Sequence, residues 1–209
     1  MIVTTKTIGV LALQGGFREH LAVFRSLDVR VREIRLPEQL SGLDGLVIPG
    51  GESTTIVKLS DLYGLRQSIQ QAAMSGIAVW GTCAGLIVIA RELADPYPQP
   101  FGLLDVRVAR NWFGRQVHSF ELDLAISALS DGPFPGVFIR APAILSTGLD
   151  VETLASLPNG MPVAVRNGRI LGTAFHPELT SDTRMHRYFL RLAETTLGDG
   201  SQHEEARRA

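Results

Sequence analysis

The sequence predicts an α/β fold with three layers, in which helices cover both faces of a central, mixed but mostly parallel sheet. In the first half of the chain, short apolar runs alternate with helical patterns, which is typical of a parallel sheet with right-handed crossovers. In the second half, prolines and glycines separate short strand-like runs. A length of 209 residues suits one domain. We expect that domain to span residues 1–197 and the polar segment 198–209 to form a disordered tail.

The elements of the first half follow from apolar patterning. Continuous apolar runs predict strands buried on both faces at 7–13, 45–48 and 77–80. Alternation of apolar and charged residues predicts a more exposed strand at 29–34, and helical spacing predicts helices at 17–27 and 84–93. Segment 66–91 has no charge between its ends, but Gln, Ser and Gly interrupt it. We therefore interpret it as a helix, a buried strand and a second helix rather than a membrane span.

The second half contains shorter elements. Strand-like runs occur at 120–124 and 162–166. Asn167-Gly168 lies between two such runs, which is a hairpin signal. A final helix is predicted over 183–196.

Composition excludes several classes of function. Lysine and arginine number 20 against 21 acidic residues, so the net charge of −1 gives no electrostatic basis for binding nucleic acid or an anionic membrane. The single cysteine excludes an internal disulfide and a multi-cysteine metal site. The first residues lack the basic and then apolar pattern of a signal peptide. We expect a cytoplasmic protein that needs no cofactor.

The single cysteine, Cys83, lies in the sequence Gly-Thr-Cys-Ala-Gly between a predicted strand and a predicted helix. Small neighbours permit the strained strand-to-helix turn called a nucleophile elbow. A helix N-terminus beside the sulfur favours the thiolate, and the Ala84 N–H would face a developing oxyanion. The alternative is that Cys83 is a small buried hydrophobic residue.

A thiolate mechanism needs a base, and His176 follows a predicted strand in the sequence Phe-His-Pro-Glu. Pro177 pushes His176 into an extended conformation, so the carboxylate of Glu178, two residues on, would lie on the same side of the chain. Glu178 would then orient His176 toward the nucleophile. The alternative is a surface turn. His20 and His186 lie in predicted helices beside charged residues, and we assign them no catalytic role.

A second glycine-rich turn, Pro-Gly-Gly-Glu-Ser-Thr-Thr at 49–55, also follows a buried strand. Ligands bind at this edge of open α/β sheets. Gly51 can supply a second oxyanion donor, and the acidic Glu52 suits an α-amino group better than a phosphate. The alternative is a simple turn into a helix, with Ser53 as N-cap.

These segments together resemble the class I, or triad, glutamine amidotransferases, and within them the glutaminase subunit of pyridoxal 5′-phosphate synthase, the PdxT family. The resemblance runs from about residue 8 to residue 190. It rests on six motifs in family order: Leu-Ala-Leu-Gln-Gly at 11–15, Gly-Gly-Glu-Ser-Thr-Thr at 50–55, Gly-Thr-Cys-Ala-Gly-Leu at 81–86, Arg-Asn-Trp-Phe-Gly-Arg-Gln at 110–116, Gly-Val-Phe-Ile-Arg-Ala-Pro at 136–142 and Phe-His-Pro-Glu-Leu-Thr at 175–180. The fold implied is flavodoxin-like.

The resemblance implies that Cys83 is the nucleophile, His176 the base and then acid, and Glu178 its orienter. It implies L-glutamine as substrate, with contacts from Gly51, Glu52, Ser53, Arg110, Ile139 and Arg140. A guanidinium suits the glutamine α-carboxylate, although a surface ion pair is the alternative for both arginines.

The resemblance also implies a partner, a (β/α)₈-barrel synthase subunit of the PdxS family, which accepts the ammonia and activates the glutaminase. One hypothesis is that docking orients the Gly50–Gly51 peptide for catalysis. Trp112 and His118 depart from the family pattern without touching the triad motifs. Alternative functions are the glutaminase of another amidotransferase, a cysteine-elbow hydrolase or isomerase, and a non-catalytic subunit that senses glutamine.

Overall fold

The computed structural model describes residues 6–110 and 119–194. Its strands in chain order are β1 (Thr7–Leu11), β2 (Arg30–Ile34), β3 (Gly45–Ile48), β4 (Ala78–Thr82), β5 (Ala90–Leu93), β6 (Leu104–Ala109), β7 (Ser119–Leu124), β8 (Phe134–Ile139), β9 (Ala143–Thr147), β10 (Glu152–Ser156), β11 (Pro162–Asn167) and β12 (Ile170–Thr173). Its α-helices are α1 (Phe17–Ser26), α2 (Ser53–Leu62), α3 (Leu65–Met74), α4 (Ala84–Ile89) and α5 (Arg184–Glu194).

The main sheet has seven strands in the order β10-β11-β12-β4-β3-β1-β2. The five strands from β12 to β2 are parallel, whereas β10 and β11 are antiparallel additions at one edge. The mixed, mostly parallel sheet predicted from the sequence is confirmed. Its central strands β3 and β4 are buried along their whole length, as their continuous apolar sequence requires.

Helices pack on both faces of this sheet and complete three layers. α1 and α5 lie on the face to which Trp80 of β4 points, where the indole contacts both helices through His20, His186 and Phe189. α2 and α4 pack together on the opposite face, and α3 packs against α2. A smaller sheet of β5, β6 and β9 and a hairpin of β7 and β8 complete the fold.

Three predicted elements differ in detail. The helix predicted over 84–93 ends at Ile89, because residues from Ala90 onward pair with β6 and strand pairing overrides helical spacing. The Asn-Gly hairpin between β11 and β12 is confirmed, but Asn167 pairs with Ile170 and the two-residue turn is therefore Gly168-Arg169, with Gly168 at φ 54°. The final helix begins at Arg184, and the residues beyond Glu194, including the predicted tail, lie outside the described residues.

Across residues 6–110 and 119–194, none of the helices combines the length and the apolar character needed to cross a bilayer. The central β-strands and their helices instead form one continuous core of buried hydrophobic residues. That core fixes the carboxyl ends of β3, β4 and β12 side by side, and the candidate site is built at this edge.

Candidate active site

Cys83 lies directly after β4 in a sharply strained turn, with φ 48° and ψ −107°. Such a conformation is costly for a residue with a side chain, and the turn packs this tightly only because glycines lie two residues before and two residues after Cys83. A Cβ on Gly81 would lie 2.5 Å from the Gly85 carbonyl oxygen, and a Cβ on Gly85 would lie 1.8 Å from the Ile48 carbonyl oxygen. The Cys83 N–H donates to the Thr173 carbonyl at 2.8 Å, which ties the turn to β12.

His176 reaches the thiol from the end of β12. Its backbone N–H donates to the Val137 carbonyl at 2.8 Å, and its Nδ1 lies 2.7 Å from Glu178 Oε1. The imidazole and the Cys83 side chain line the same cavity. The expectation that the chain from His176 to Glu178 is extended is wrong: Pro177–Leu179 form a 3₁₀ turn. The turn folds the Glu178 carboxylate back onto His176, because proline at the first position fixes the φ that such a turn needs.

The charges of these three residues stabilise one another. Burial lowers the pKa of His176, but hydrogen bonds to Cys83 and Glu178 and the charges of both outweigh it and raise the pKa to about 10. Burial raises the pKa of Glu178, but the charge of His20, the hydrogen bonds from His176 and His20 and the charge of His176 hold it well below its usual value. At neutral pH the arrangement therefore places an imidazolium, His176, between the Cys83 sulfur and the carboxylate of Glu178.

Glu178 is buried, with 6% of its surface exposed, and its second oxygen faces His20, which in turn contacts His186. His20 Nε2 lies 3.3 Å from Glu178 Oε2, and His20 Nδ1 lies 3.0 Å from His186 Nε2. Both imidazoles are fully buried. The predicted helical position of His20 beside charged residues is confirmed, but the sequence did not indicate that its imidazole is buried and contacts the orienter.

The turn after β3 forms the opposite wall. The helix N-cap is Glu52 rather than Ser53, since the Glu52 carboxylate accepts from the Thr55 N–H at 2.7 Å. The same carboxylate forms an ion pair with Arg110 at 3.0 Å. Burial raises the pKa of Glu52, but hydrogen bonds from Thr55 and Thr54 outweigh it and lower the pKa. An anionic Glu52 and a cationic Arg110 thus stand together at the rim.

The Gly50–Gly51 peptide is held in one orientation. Its carbonyl accepts a hydrogen bond from the Gly16 N–H at 3.0 Å, and the next N–H, that of Glu52, donates to Gln14 Oε1 at 2.7 Å. Because the carbonyl and N–H of a trans peptide point in opposite directions, the Gly51 N–H points away from Gly16. In the chain alone these contacts hold the peptide in one orientation, and the hypothesis that a docked partner orients it for catalysis stays a prediction.

These groups surround a cavity of about 400 Å³. Every predicted site residue except Glu178 lines it, together with one residue that sequence reasoning missed: Gly51, Glu52, Ser53, Cys83, Ala84, Ile87, Arg110, Ile139, Arg140 and His176. Ile87 lies in the first turn of α4. The only feature of the sequence that could have predicted its place in the cavity is its position one helical turn after Cys83. Trp112 and His118 lie outside the described residues. Within the described ranges, no group of three or more histidine, cysteine or carboxylate side chains is arranged so that it could hold a metal ion.

Known proteins resemble this chain over most of its length. Residues 10–195 match the sequence model of the SNO glutamine amidotransferase family. A protein of Dehalococcoides mccartyi called pyridoxal 5′-phosphate synthase subunit PdxT is 52% identical over 190 residues, covering 90% of this chain and 97% of the relative. The PdxT of Deinococcus radiodurans is 54% identical over 192 residues, with the same coverage of 90% and 97%. A crystal structure described as a glutamine amidotransferase superimposes with a TM-score of 0.85 at 49% identity, covering 90% of this chain and 99% of its own.

Proposed function

The chain belongs to the SNO glutamine amidotransferase family, and from that premise we propose that it is the glutaminase subunit of a pyridoxal 5′-phosphate synthase, with Cys83 as nucleophile. One observation carries the site assignment: the strained Cys83 and His176 line the same cavity, and the buried carboxylate of Glu178 hydrogen-bonds the imidazole from behind. Family membership also sets aside the cysteine-elbow hydrolases and isomerases considered from the sequence.

The reaction is acyl transfer from glutamine to the enzyme and then to water. The Cys83 thiolate attacks the side-chain amide carbon of glutamine and forms a tetrahedral oxyanion. The imidazolium of His176 gives its proton to the departing nitrogen, ammonia leaves, and a thioester remains. Neutral His176 then takes a proton from water, which attacks the thioester and releases glutamate and the thiolate.

Two backbone N–H groups are suited to stabilise the oxyanion. Ala84 is the first residue of α4, where an N–H has no acceptor within the helix. The Gly51 N–H points away from Gly16, toward the side of β3 on which β4 and Cys83 lie. Donors fixed in place before the reaction cost no reorganisation when the charge develops.

The rim is suited to the two charges of the amino acid backbone of glutamine. Glu52 would accept the α-ammonium, and Arg110 and Arg140 would bind the α-carboxylate. Arg140 follows β8 with φ 46° and lines the cavity. Ile139 contributes its carbonyl, 3.8 Å from Cys83 Sγ, and Ser53 a buried hydroxyl.

The relatives named above are subunits of pyridoxal 5′-phosphate synthase, which supports a synthase partner for this chain as well. We assign that role to a (β/α)₈-barrel subunit of the PdxS family, which would receive the ammonia before it is protonated in bulk water.

Glutamate release from glutamine tests this function, measured with and without the barrel subunit for wild type and Cys83→Ala. We expect activity that rises when the barrel is added, and none from Cys83→Ala. Activity that survives Cys83→Ala refutes the nucleophile. Activation by a different synthase, and none by the barrel, refutes the assignment to pyridoxal phosphate synthesis.

A further inference from the structure

The carboxylate that orients His176 is itself held from behind. Glu178 Oε1 faces His176 at 2.7 Å, while Oε2 faces His20 Nε2 at 3.3 Å. No donor, His20 included, makes a well-aligned hydrogen bond to Oε2 within the described residues, so the 3.3 Å approach of His20 is a buried ion-pair contact. His20 projects from α1 and does not line the cavity, so it can act on the reaction only through the residues it contacts, among them Glu178.

The buried surroundings select one tautomer for the neutral form of His20. A carboxylate can only accept, so the nitrogen facing it, Nε2, carries hydrogen. In that neutral form His20 Nδ1 is an acceptor, and His186 Nε2–H donates to it over 3.0 Å. This leaves His186 Nδ1 without hydrogen, which fits its lack of any partner in the described structure, because a buried N–H without an acceptor is costly.

The same histidine contacts the oxyanion side of the site. His20 Nε2 also lies 3.3 Å from Thr82 Oγ1, and that hydroxyl accepts the Gly50 N–H at 3.1 Å. Thr82 immediately precedes Cys83. His20 therefore lies between the two parts of the proposed machinery, the orienter of the base and the strand end that carries the peptide before Gly51.

Aromatic packing prevents this imidazole from turning. The ring of Trp80 meets His20 edge to face at a centroid distance of 5.6 Å and His186 at 5.1 Å. Buried histidines of this kind commonly serve packing alone, but packing does not require a nitrogen aimed at a buried carboxylate. An apolar ring would fill the same space without the cost of desolvating two polar atoms.

We propose that His20 is a positioning residue, a fourth member behind Cys83, His176 and Glu178, which fixes the Glu178 carboxylate and through it the imidazole of His176. The inference rests on the proposed function of that triad. Losing a buried N–H contact to a charged group, here the 3.3 Å approach to Glu178, lowers a rate by roughly 10- to 100-fold. The substrate pocket is untouched, so the loss falls on kcat.

Two substitutions separate positioning from packing. His20→Gln keeps a side-chain N–H at about the reach of Nε2, whereas His20→Leu removes it. In the complex with the barrel subunit, we expect His20→Leu to lower kcat about 10- to 100-fold with little change in the KM for glutamine, and His20→Gln to restore most of the rate. We also expect the pH profile of kcat to move in His20→Leu and to stay in His20→Gln.

Thermal unfolding of both variants provides the structural control. The proposal is overturned if His20→Leu folds and keeps the wild-type kcat and pH profile. It is also overturned if kcat falls equally in both variants and in proportion to their loss of Tm. If His20→Leu does not fold, the kcat values of His20→Gln and His20→Asn are compared instead, because the Asn side chain is too short to reach Glu178. Equal kcat in these two variants also overturns the proposal. Activity remaining in Cys83→Ala would instead overturn the proposed function.

Discussion

Replacing Gly50 by alanine tests the close packing of the candidate site at its tightest point. A Cβ at this position would lie 2.4 Å from His176 Cε1, 3.0 Å from His176 Nδ1 and 3.3 Å from Cys83 Cβ. The first distance is about 1 Å below ordinary van der Waals contact. The backbone of Gly50 is not in the left-handed region, so alanine itself is tolerated and the imidazole must move.

The expected loss follows from that displacement. A shift of about 1 Å would carry His176 Nδ1 from 2.7 Å to beyond hydrogen-bond distance of Glu178, and would change its approach to Cys83. Misplacement of a reacting group by about 1 Å costs roughly 100-fold in rate. We therefore expect Gly50→Ala to lower kcat for glutamate release about 100-fold, with a smaller effect on KM.

Gly9→Ala is the matched control. Its Cβ would lie 2.5 Å from Leu43 Cδ1, so the overlap is similar, but Gly9 is in the middle of β1 and its contacts are core side chains. Glutamate release with the barrel subunit and thermal unfolding would be measured for both variants. We expect a loss of Tm in both and a loss of kcat only in Gly50→Ala. A Gly50→Ala enzyme that folds and keeps wild-type kcat refutes the reasoning.

Three further predictions concern charge. Burial and the charge of His20 outweigh the charge of Glu178 and lower the pKa of His186 to about 3. Below pH 6.5 the unfolded chain therefore binds a proton at this residue that the folded chain does not. Between pH 6.5 and 4.5 the free energy of unfolding of wild type, measured by chemical denaturation, should fall by about 1.4 kcal/mol per pH unit more than that of His186→Phe. Equal slopes would contradict this. The pKa of His176 should fall from about 10 in Cys83→Ala, because the hydrogen bond and charge of Cys83 both raise it; an unchanged NMR titration argues against the ion pair. Arg140→Ala should raise the KM for glutamine with little change in Tm, and an unchanged KM removes its proposed role.

The nucleophile turn and the histidine motif could be found from sequence because each is contiguous and follows a strand. Gly81, Cys83 and Gly85 lie within five residues, and His176 and Glu178 are separated only by Pro177. Parallel strands end at one edge of a sheet, so placing each motif after a strand was enough to predict that they meet.

The histidines behind Glu178 could not be found in this way. Their network joins α1, β4, the turn after β12 and α5, and His20 and His186 are 166 residues apart. A weaker signal was present: His20 is four residues before Phe24 and His186 three before Phe189, spacings that place each histidine on the apolar face of its helix. Charged neighbours in the sequence obscured this, because adjacent residues on a helix do not share a face.

The N-cap of α2 and the end of α4 depended on tertiary contacts. Glu52 and Ser53 are both able to cap a helix, and the ion pair with Arg110, 58 residues away, helps hold the Glu52 carboxylate at the turn. Ala90 leaves the helical path because β6 offers it a strand partner. Neither partner is visible from local sequence.

The central claim, a covalent bond between Cys83 and the γ-carbonyl of glutamine, is tested most directly by mass spectrometry of enzyme quenched in acid during turnover. The account predicts a glutamyl group on the peptide that contains Cys83, absent from Cys83→Ala and released by hydroxylamine. Full glutamate release without this adduct, under conditions that preserve a synthetic thioester, would contradict the account. Full glutamate release with an adduct on another residue would contradict it as well.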